Sequence, residues 1–372
     1  FRSQLQPGAF TMKWVHLLAL LAICAFAGNI AQAEPYFAVR MGFKCSMCHV
    51  NPTGGGMRNA YGEAWGQAVL PAKHLDTGSD EPWTGEISKY LALGGNLRAN
   101  ASYTRIPNEP SQSQFDIEEM RIYLDARVIP GRLSLYVDQR LAPGASTNAE
   151  AYGRLSFRDG RYYVKAGQMF LPYGLRLQDD TAFIRQVPGI NFATPDSGVE
   201  FGMEADAWTA QLAVSNGAAG GPETDKGKQA SLRAEHVRSR WRGGASFNLN
   251  HTSIGDRRMQ NIFAGVRTGP IAWLGEADYI VDDSVAPRRK QWAGLIEANW
   301  NFHAGHNLKL TAENFDPDAD VSQDQQVRYS LLWEFTPIQY VQLRAGVRHY
   351  DGIPQNDRDN RDFAVLQLNG YF

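Results

Sequence analysis

Five consecutive residues carry the sharpest chemistry in this chain: Cys45-Ser46-Met47-Cys48-His49. Two thiols two residues apart can add to the two vinyl groups on one edge of a porphyrin. The imidazole that follows then lies beneath the iron. This is the covalent attachment signature of c-type haem. It assigns Cys45 and Cys48 to thioether bonds, His49 to the proximal iron position, and one haem c to the chain as its cofactor. Two other uses of such a pair fit less well. A thioredoxin-like redox pair needs a strand–helix setting that nothing downstream supplies. A zinc site needs a second ligand pair at short range, and His74 is the only other nearby histidine.

A second axial ligand is usually methionine or histidine, methionine raising the potential. The candidates are Met57 and His74. Met57 follows Gly54-Gly55-Gly56, a backbone able to approach a flat ring closely. The bland alternatives are a Met57 that packs as a small hydrophobe and a His74 that is a linker residue. Glu63, His74 and Asp76 read as solvated polar side chains, so no catalytic residue is assigned. The segment 34–85 is too short to build a large core. A bound haem must serve as its core.

These residues must first be exported. Met12-Lys13-Trp14-Val15-His16 opens a single long apolar run, Leu17 to Gly28, and Ala31-Gln32-Ala33 supplies small residues for cleavage. That is a secretory signal peptide, giving a leader and signal over 1–33 and a mature start at Glu34. Of three cysteines in the chain, the two that remain are those of the pentapeptide. Composition excludes several classes. With 42 Phe, Trp and Tyr residues the chain is not disordered. A mean hydropathy of −0.38 excludes a bundle of membrane helices. A net charge of −2 excludes a dedicated nucleic-acid binder.

From 86 to 372 the pattern alternates with period two, over segments of about ten residues. Met120, Ile122, Leu124, Ala126 and Val128 share one face, and Arg121, Tyr123, Asp125 and Arg127 the other. Val341, Leu343, Ala345 and Val347 oppose Gln342, Arg344, Gly346 and Arg348 in the same way. Sixteen such segments run from 88–104 to 361–372. Tight turns such as Pro130-Gly131, Asp159-Gly160, Gly269-Pro270, Ala304-Gly305 and Thr336-Pro337 alternate with long polar connections. The chain ends on a strand closing at Phe372. An even strand count, short turns on one side and long loops on the other describe an all-β, sixteen-stranded antiparallel transmembrane barrel in a bacterial outer membrane. Both barrel ends then return to the periplasmic side. The segment 34–85 starts there, either below the barrel or as a plug inside it.

The run Gly167-Gln168-Met169-Phe170-Leu171-Pro172-Tyr173-Gly174-Leu175 resembles the stretch leading into the third loop of the phosphate-selective porin superfamily. That resemblance implies an inward-folding connection over 171–196. The lumen-facing set of Arg121, Arg127, Arg140, Lys165, Arg267, Arg344 and Arg348 is interleaved with Asp125, Asp138, Glu297 and Glu313, so it reads as a generic solvated wall. The haem motif after an export signal, with Tyr36-Phe37-Ala38 leading into Cys45 to His49 and a barrel behind, resembles the fused monohaem cytochrome–porin family of iron-oxidising bacteria. The resemblance implies an electron conduit at the outer membrane, embedded in its lipid. It would take electrons from Fe(II) or another extracellular redox partner and deliver them to periplasmic carriers such as cytochromes. The reaction is iron:cytochrome c electron transfer rather than group chemistry. The run Asn51 to Met57 departs from what that family requires and leaves the donor open. The alternative function is an anion-leaning porin channel with the haem segment as plug or sensor.

Overall fold

The computed structural model describes residues 34–76, 78–79 and 81–372. The leader and signal assigned to 1–33 lie outside the described residues. Strands follow from the period-two alternation, because a strand places successive side chains on opposite faces. In β3 (Gln112–Ile129), Glu119, Arg121, Tyr123 and Asp125 are buried on the inner face, whereas Met120 and Ile122 are exposed on the outer one. A one-residue slip would put those charges into lipid, so the register is strongly specified.

Sixteen strands close the barrel. They are β2 (Leu91–Arg105), β3, β4 (Leu133–Ala142), β5 (Thr147–Phe157), β6 (Tyr162–Met169), β7 (Asp196–Ala205), β8 (Trp208–Ser215) and β9 (Gln229–Val237), followed by β10 (Trp241–Thr252), β11 (Gly255–Thr268), β12 (Ile271–Asp282), β13 (Arg289–His303), β14 (His306–Asp316), β15 (Gln326–Ile338), β16 (Val341–Asp351) and β17 (Asp362–Tyr371). Each pairs antiparallel with its sequence neighbour. β17 returns to β2, from Asp362 opposite Arg105 to Tyr371 opposite Asn96, so no edge is left open. A short strand, β1 (Glu86–Ser88), folds onto the start of β2.

The outer face is apolar, with aromatic side chains near both ends. Trp241, Trp300 and Phe372 lie toward the short turns, and Tyr103, Trp292 and Tyr329 toward the long loops. Two such belts mark the interfaces of an outer-membrane barrel. The inner wall is laced with ion pairs, among them Arg121–Asp138 at 2.9 Å, Lys165–Glu200 at 3.1 Å and Arg98–Glu119 at 2.8 Å.

Two connections differ from expectation. Thr336-Pro337 is not a turn; it lies inside β15, and the chain reverses at Gln339-Tyr340. The reason is local. Proline lacks an N–H, and the carbonyls of Thr336 and Pro337 accept from Ala72 and Lys73 at 2.8 and 3.1 Å, so a tether from the N-terminal segment pairs with this rim. The connection between β10 and β11, on the long-loop side, is only Ser253-Ile254.

The N-terminal segment sits in the short-turn end of the barrel, the periplasmic end in this class. It contains α1 (Pro35–Met41), a 3₁₀ turn over Cys45–Met47 and α2 (Ala60–Val69). Its contacts reach wall residues on many sides. Tyr36 donates to Glu334 at 3.0 Å, Asn51 to Glu150 at 2.9 Å, and Ser46 to Glu204 at 2.9 Å. Lys309 and Arg344 each hold Glu34 at 3.1 Å. Of the two expected placements, the segment takes the plug.

The connection between β6 and β7 turns inward, as the porin-superfamily resemblance implied. Tyr173 donates to Asp278 at 3.0 Å, and Gly174 N–H to Ser246 at 3.0 Å. Further along, a short helix, α3 (Phe183–Gln186), begins with Phe183 N–H donating to Glu313 at 2.7 Å. The loop therefore crosses the lumen above the plug.

Candidate functional site

The pentapeptide is a single helical turn. The N–H groups of Cys48 and His49 both donate to the Cys45 carbonyl, at 3.2 and 3.0 Å. Both cysteines are unpaired thiols. Asn59 clasps this turn. Its Nδ2 donates to the carbonyls of Ser46 and Met47 at 3.2 and 3.1 Å, and its backbone N–H to that of Cys48 at 2.9 Å. The same side chain caps α2, its Oδ1 accepting from Gly62 N–H at 2.9 Å. One residue thus satisfies the carbonyl end of one helical turn and the amide end of the next.

Helix α2 lies directly on the pentapeptide. A Cβ at Gly62 would stand 2.2 Å from the Cys48 carbonyl oxygen, so no other residue fits there. The loop before α2 is equally tight. Gly54, Gly55 and Gly56 have φ of +87°, +75° and +61°, all in the left-handed region. Added Cβ atoms would meet Cys45 at 3.4 Å, Phe192 of the inward loop at 2.6 Å and the Tyr136 hydroxyl of the wall at 2.5 Å.

Asn59→Ala is expected to loosen this corner by about 1–2 kcal/mol, the cost of a lost cap together with two lost side-chain hydrogen bonds to the Ser46 and Met47 carbonyls. Hydrogen exchange checks it: amides of 45–66 should open faster while those of the barrel strands keep their protection.

A cavity opens beside Cys45, Cys48 and His49. Part of its wall is apolar, from Phe37, Met41, Trp65, Leu70 and Leu175. The rest is basic, with Arg58, Arg176, Arg233 and Arg242 among the lining residues. His49 is buried, with backbone hydrogen-bonding groups of Met57 and Gly55 beside its ring. Burial, reinforced by the charges of Arg58 and Arg176, pushes the imidazole down to about 4, so it is neutral at physiological pH, as a metal ligand must be. Burial also pushes the Cys48 thiol up to about 11. Two free thiols on one helical turn, a neutral imidazole and a largely apolar cavity beside them fit a thioether-bound haem.

Cys45, Cys48 and His49 are therefore brought together, and Gly54 and Gly55 line the same cavity. Met57 is not on its wall. It is buried with Val50, Tyr123 and Tyr136, and its N–H donates to the Tyr136 hydroxyl at 2.9 Å. His74 is exposed, its Nε2 lying 3.2 Å from the Ala68 carbonyl. Among the described residues the methionine that lines the cavity is Met41, at the end of α1. Asp76 is exposed, as expected. Glu63 is not solvated: it is buried on α2 with Arg58 at 3.7 Å, and burial raises its carboxyl above the usual range.

The sequence reading missed Asn59, Gly62 and the arginines. Asn59 before a run with Glu63 four residues on is a helix-start signal. Gly62 and Gly66 are spaced i, i+4 on one face of α2. Arg176, Arg233 and Arg242 carry no local signal, because they come from the inward loop, β9 and β10.

No family model matches the chain, and no curated protein matches it. Solved structures do match. The chain is similar to the anion-selective porin from Comamonas acidovorans, at TM-score 0.61 and 9% identity, covering 76% of this chain and 99% of that one. It is similar to OprB of Pseudomonas putida at 0.60 and 10%, covering 76% and 94%. A loop-deletion form of OmpT, an outer membrane protein of Vibrio cholerae, gives 0.60 and 13%, covering 76% and 99%. The fold is that of an outer-membrane porin. At such identities the likeness is one of backbone architecture.

Proposed function

We propose that this porin-fold barrel is an outer-membrane electron conduit, with one covalent c-type haem held by its lumen plug. The observation that carries the reading is the placement of Cys45, Cys48 and His49 on one turn beside a largely apolar cavity. Cys45 and Cys48 would hold the haem through thioether bonds, His49 would ligate its iron, and Met41 is the methionine among the cavity-lining residues. When bound, haem supplies a one-electron couple. The chain's own part is to bury that couple between the plug and the inward loop. The electron donor is Fe(II) in the family the chain resembles, and the acceptors are periplasmic carriers such as cytochromes. Anaerobic addition of Fe(II) to the oxidised holoprotein should bring up the reduced haem bands. A haem that dithionite reduces and Fe(II) does not, across the pH range where Fe(II) stays dissolved, removes iron as the donor. Absence of covalent haem removes the conduit.

A solute channel is the second reading. The porin neighbours support it more directly than they support a haem. A passage runs between the inward loop and the wall and reaches Glu34, with seven basic and seven acidic side chains among its lining residues.

A further inference from the structure

Arginine is unevenly spread around the short-turn rim of the barrel. Six exposed arginines stand in one sector: Arg132 between β3 and β4, Arg158 and Arg161 between β5 and β6, Arg238 and Arg240 between β9 and β10, and Arg267 at the end of β11. The turns of this sector form one continuous arc. Ser156 N–H donates to the Arg132 carbonyl at 2.7 Å, and Glu204 N–H to that of Arg161 at 2.7 Å. Val237 N–H donates to the Ala207 carbonyl at 2.8 Å, and Arg267 N–H to that of Arg240 at 2.8 Å. Among the described residues none of the six has an ion-pair partner, and the Arg267 guanidinium donates to the neutral Arg40 carbonyl at 2.8 Å. The acidic residues on these turns are Asp159 and Asp206.

The rest of the rim differs. The turns between β13 and β14 and between β15 and β16 carry no lysine or arginine. Along 71–90, Lys73 and Lys89 are outnumbered by Asp76, Glu81 and Glu86. The plug reaches the rim beside the arginine arc. Lys44 Nζ donates to the Trp208 carbonyl at 2.9 Å, and Ser46 to Glu204 at 2.9 Å. A Cβ on Gly42 would stand 2.6 Å from Ser239 Cα, in the turn between Arg238 and Arg240. Met41 and Met47, in the same stretch of the plug, are exposed, and Met47 belongs to the pentapeptide. Methionine and arginine are both enriched in protein interfaces.

We propose that this sector is the docking surface for a soluble periplasmic protein with an acidic face. Opposite charge steers such a partner to the rim and fixes its orientation. Anionic lipid headgroups would meet the barrel on all sides, whereas the arginines cover one sector, the one where residues 40–47 come to the surface. The inference deepens the conduit reading, because a partner seated there lies against the pentapeptide.

The test uses the full protein in nanodiscs of zwitterionic phosphatidylcholine and two probes: a lysine-rich soluble cytochrome c, and the same cytochrome with its lysines succinylated, which makes it acidic. The succinylated probe should bind. Its binding should be lost between about 0.01 M and about 1 M salt, as the screening length falls from about 30 to about 3 Å. Joint reversal of Arg238→Glu, Arg240→Glu and Arg267→Glu should weaken that binding on the order of tenfold, and should not weaken any binding of the untreated probe. Lys73→Glu with Lys89→Glu, the same kind of change in the other sector, should alter it by less than about twofold. Heat-modifiable gel mobility checks that both variants keep the barrel. Haem staining is scored separately: a wild type that binds the acidic probe and lacks stain fails the haem reading and leaves the docking surface standing. Equal loss in the two reversal variants, or none in the arginine variant, overturns the proposal. Arginine reversal that spares probe binding but lowers the anionic phospholipid co-purified with the barrel assigns the arc to headgroups and overturns it likewise.

Discussion

Replacing both Cys45 and Cys48 with serine is expected to abolish haem staining of the denatured protein completely, while leaving the barrel folded. Apart from Cys24 in the apolar N-terminal run, these two thiols are the chain's only cysteines. Loss of both removes covalent retention outright, and what haem remains will be extractable. The barrel should survive because its ladder never passes through the plug: each strand pairs with its neighbours, and β17 closes on β2. A heat-modifiable band on gel electrophoresis checks that fold independently. Each single variant should keep one thioether and so keep stain at reduced intensity. The plug will suffer more. Without the proposed haem it keeps a cavity lined in part by arginines. Faster proteolysis at 45–66 is therefore expected in the double variant. Stain equal to wild type in the double variant would sink the assignment of these thiols.

The barrel was legible in the sequence because a strand's period carries its own orientation. Arg328, Ser330 and Glu334 face the lumen and Tyr329, Leu331 and Trp333 face outward, as alternation alone dictates. A barrel repeats that signal sixteen times, so an error at one strand is outvoted by its neighbours. Turns were less legible. Thr336-Pro337 looks like a reversal because proline usually ends a ladder, yet here the carbonyls on that edge are used by a tether that sequence could not place. The plug contacts were out of reach for a related reason. Asn51 meets Glu150, and Arg176 meets Thr53, across separations no local pattern records. The pentapeptide was readable because its chemistry is confined to five residues. Met57 shows the limit of that approach: a methionine beside a glycine loop looks like a ligand, but the side chain packs into the wall.

Removal of residues 35–83 is expected to convert the barrel into an open channel, raising single-channel conductance on the order of tenfold, since a sixteen-stranded barrel without a plug leaves an aqueous path. The deletion costs contacts that are individually modest, about 0.5–1.5 kcal/mol for each neutral hydrogen bond, and it exposes wall charges that water can solvate. Strand pairing supplies the stability that must remain. The inward loop should stay in place, because its anchors to Ser246, Asp278 and Glu313 belong to the wall rather than the plug. Conductance will accordingly fall short of a barrel lacking that loop. Ion preference should change as well. Lys309 and Arg344 each lie near both Glu34 and Glu334. Cutting the chain after Glu34, or losing its hold on the wall, removes one carboxylate from beside these two cations, so the open form should be shifted toward anions relative to the full protein. Planar bilayers read both quantities. Equal conductance in a folded deletion and in the full holoprotein would mean that the plug does not close the lumen. The solute-channel reading would then describe this barrel better than the conduit.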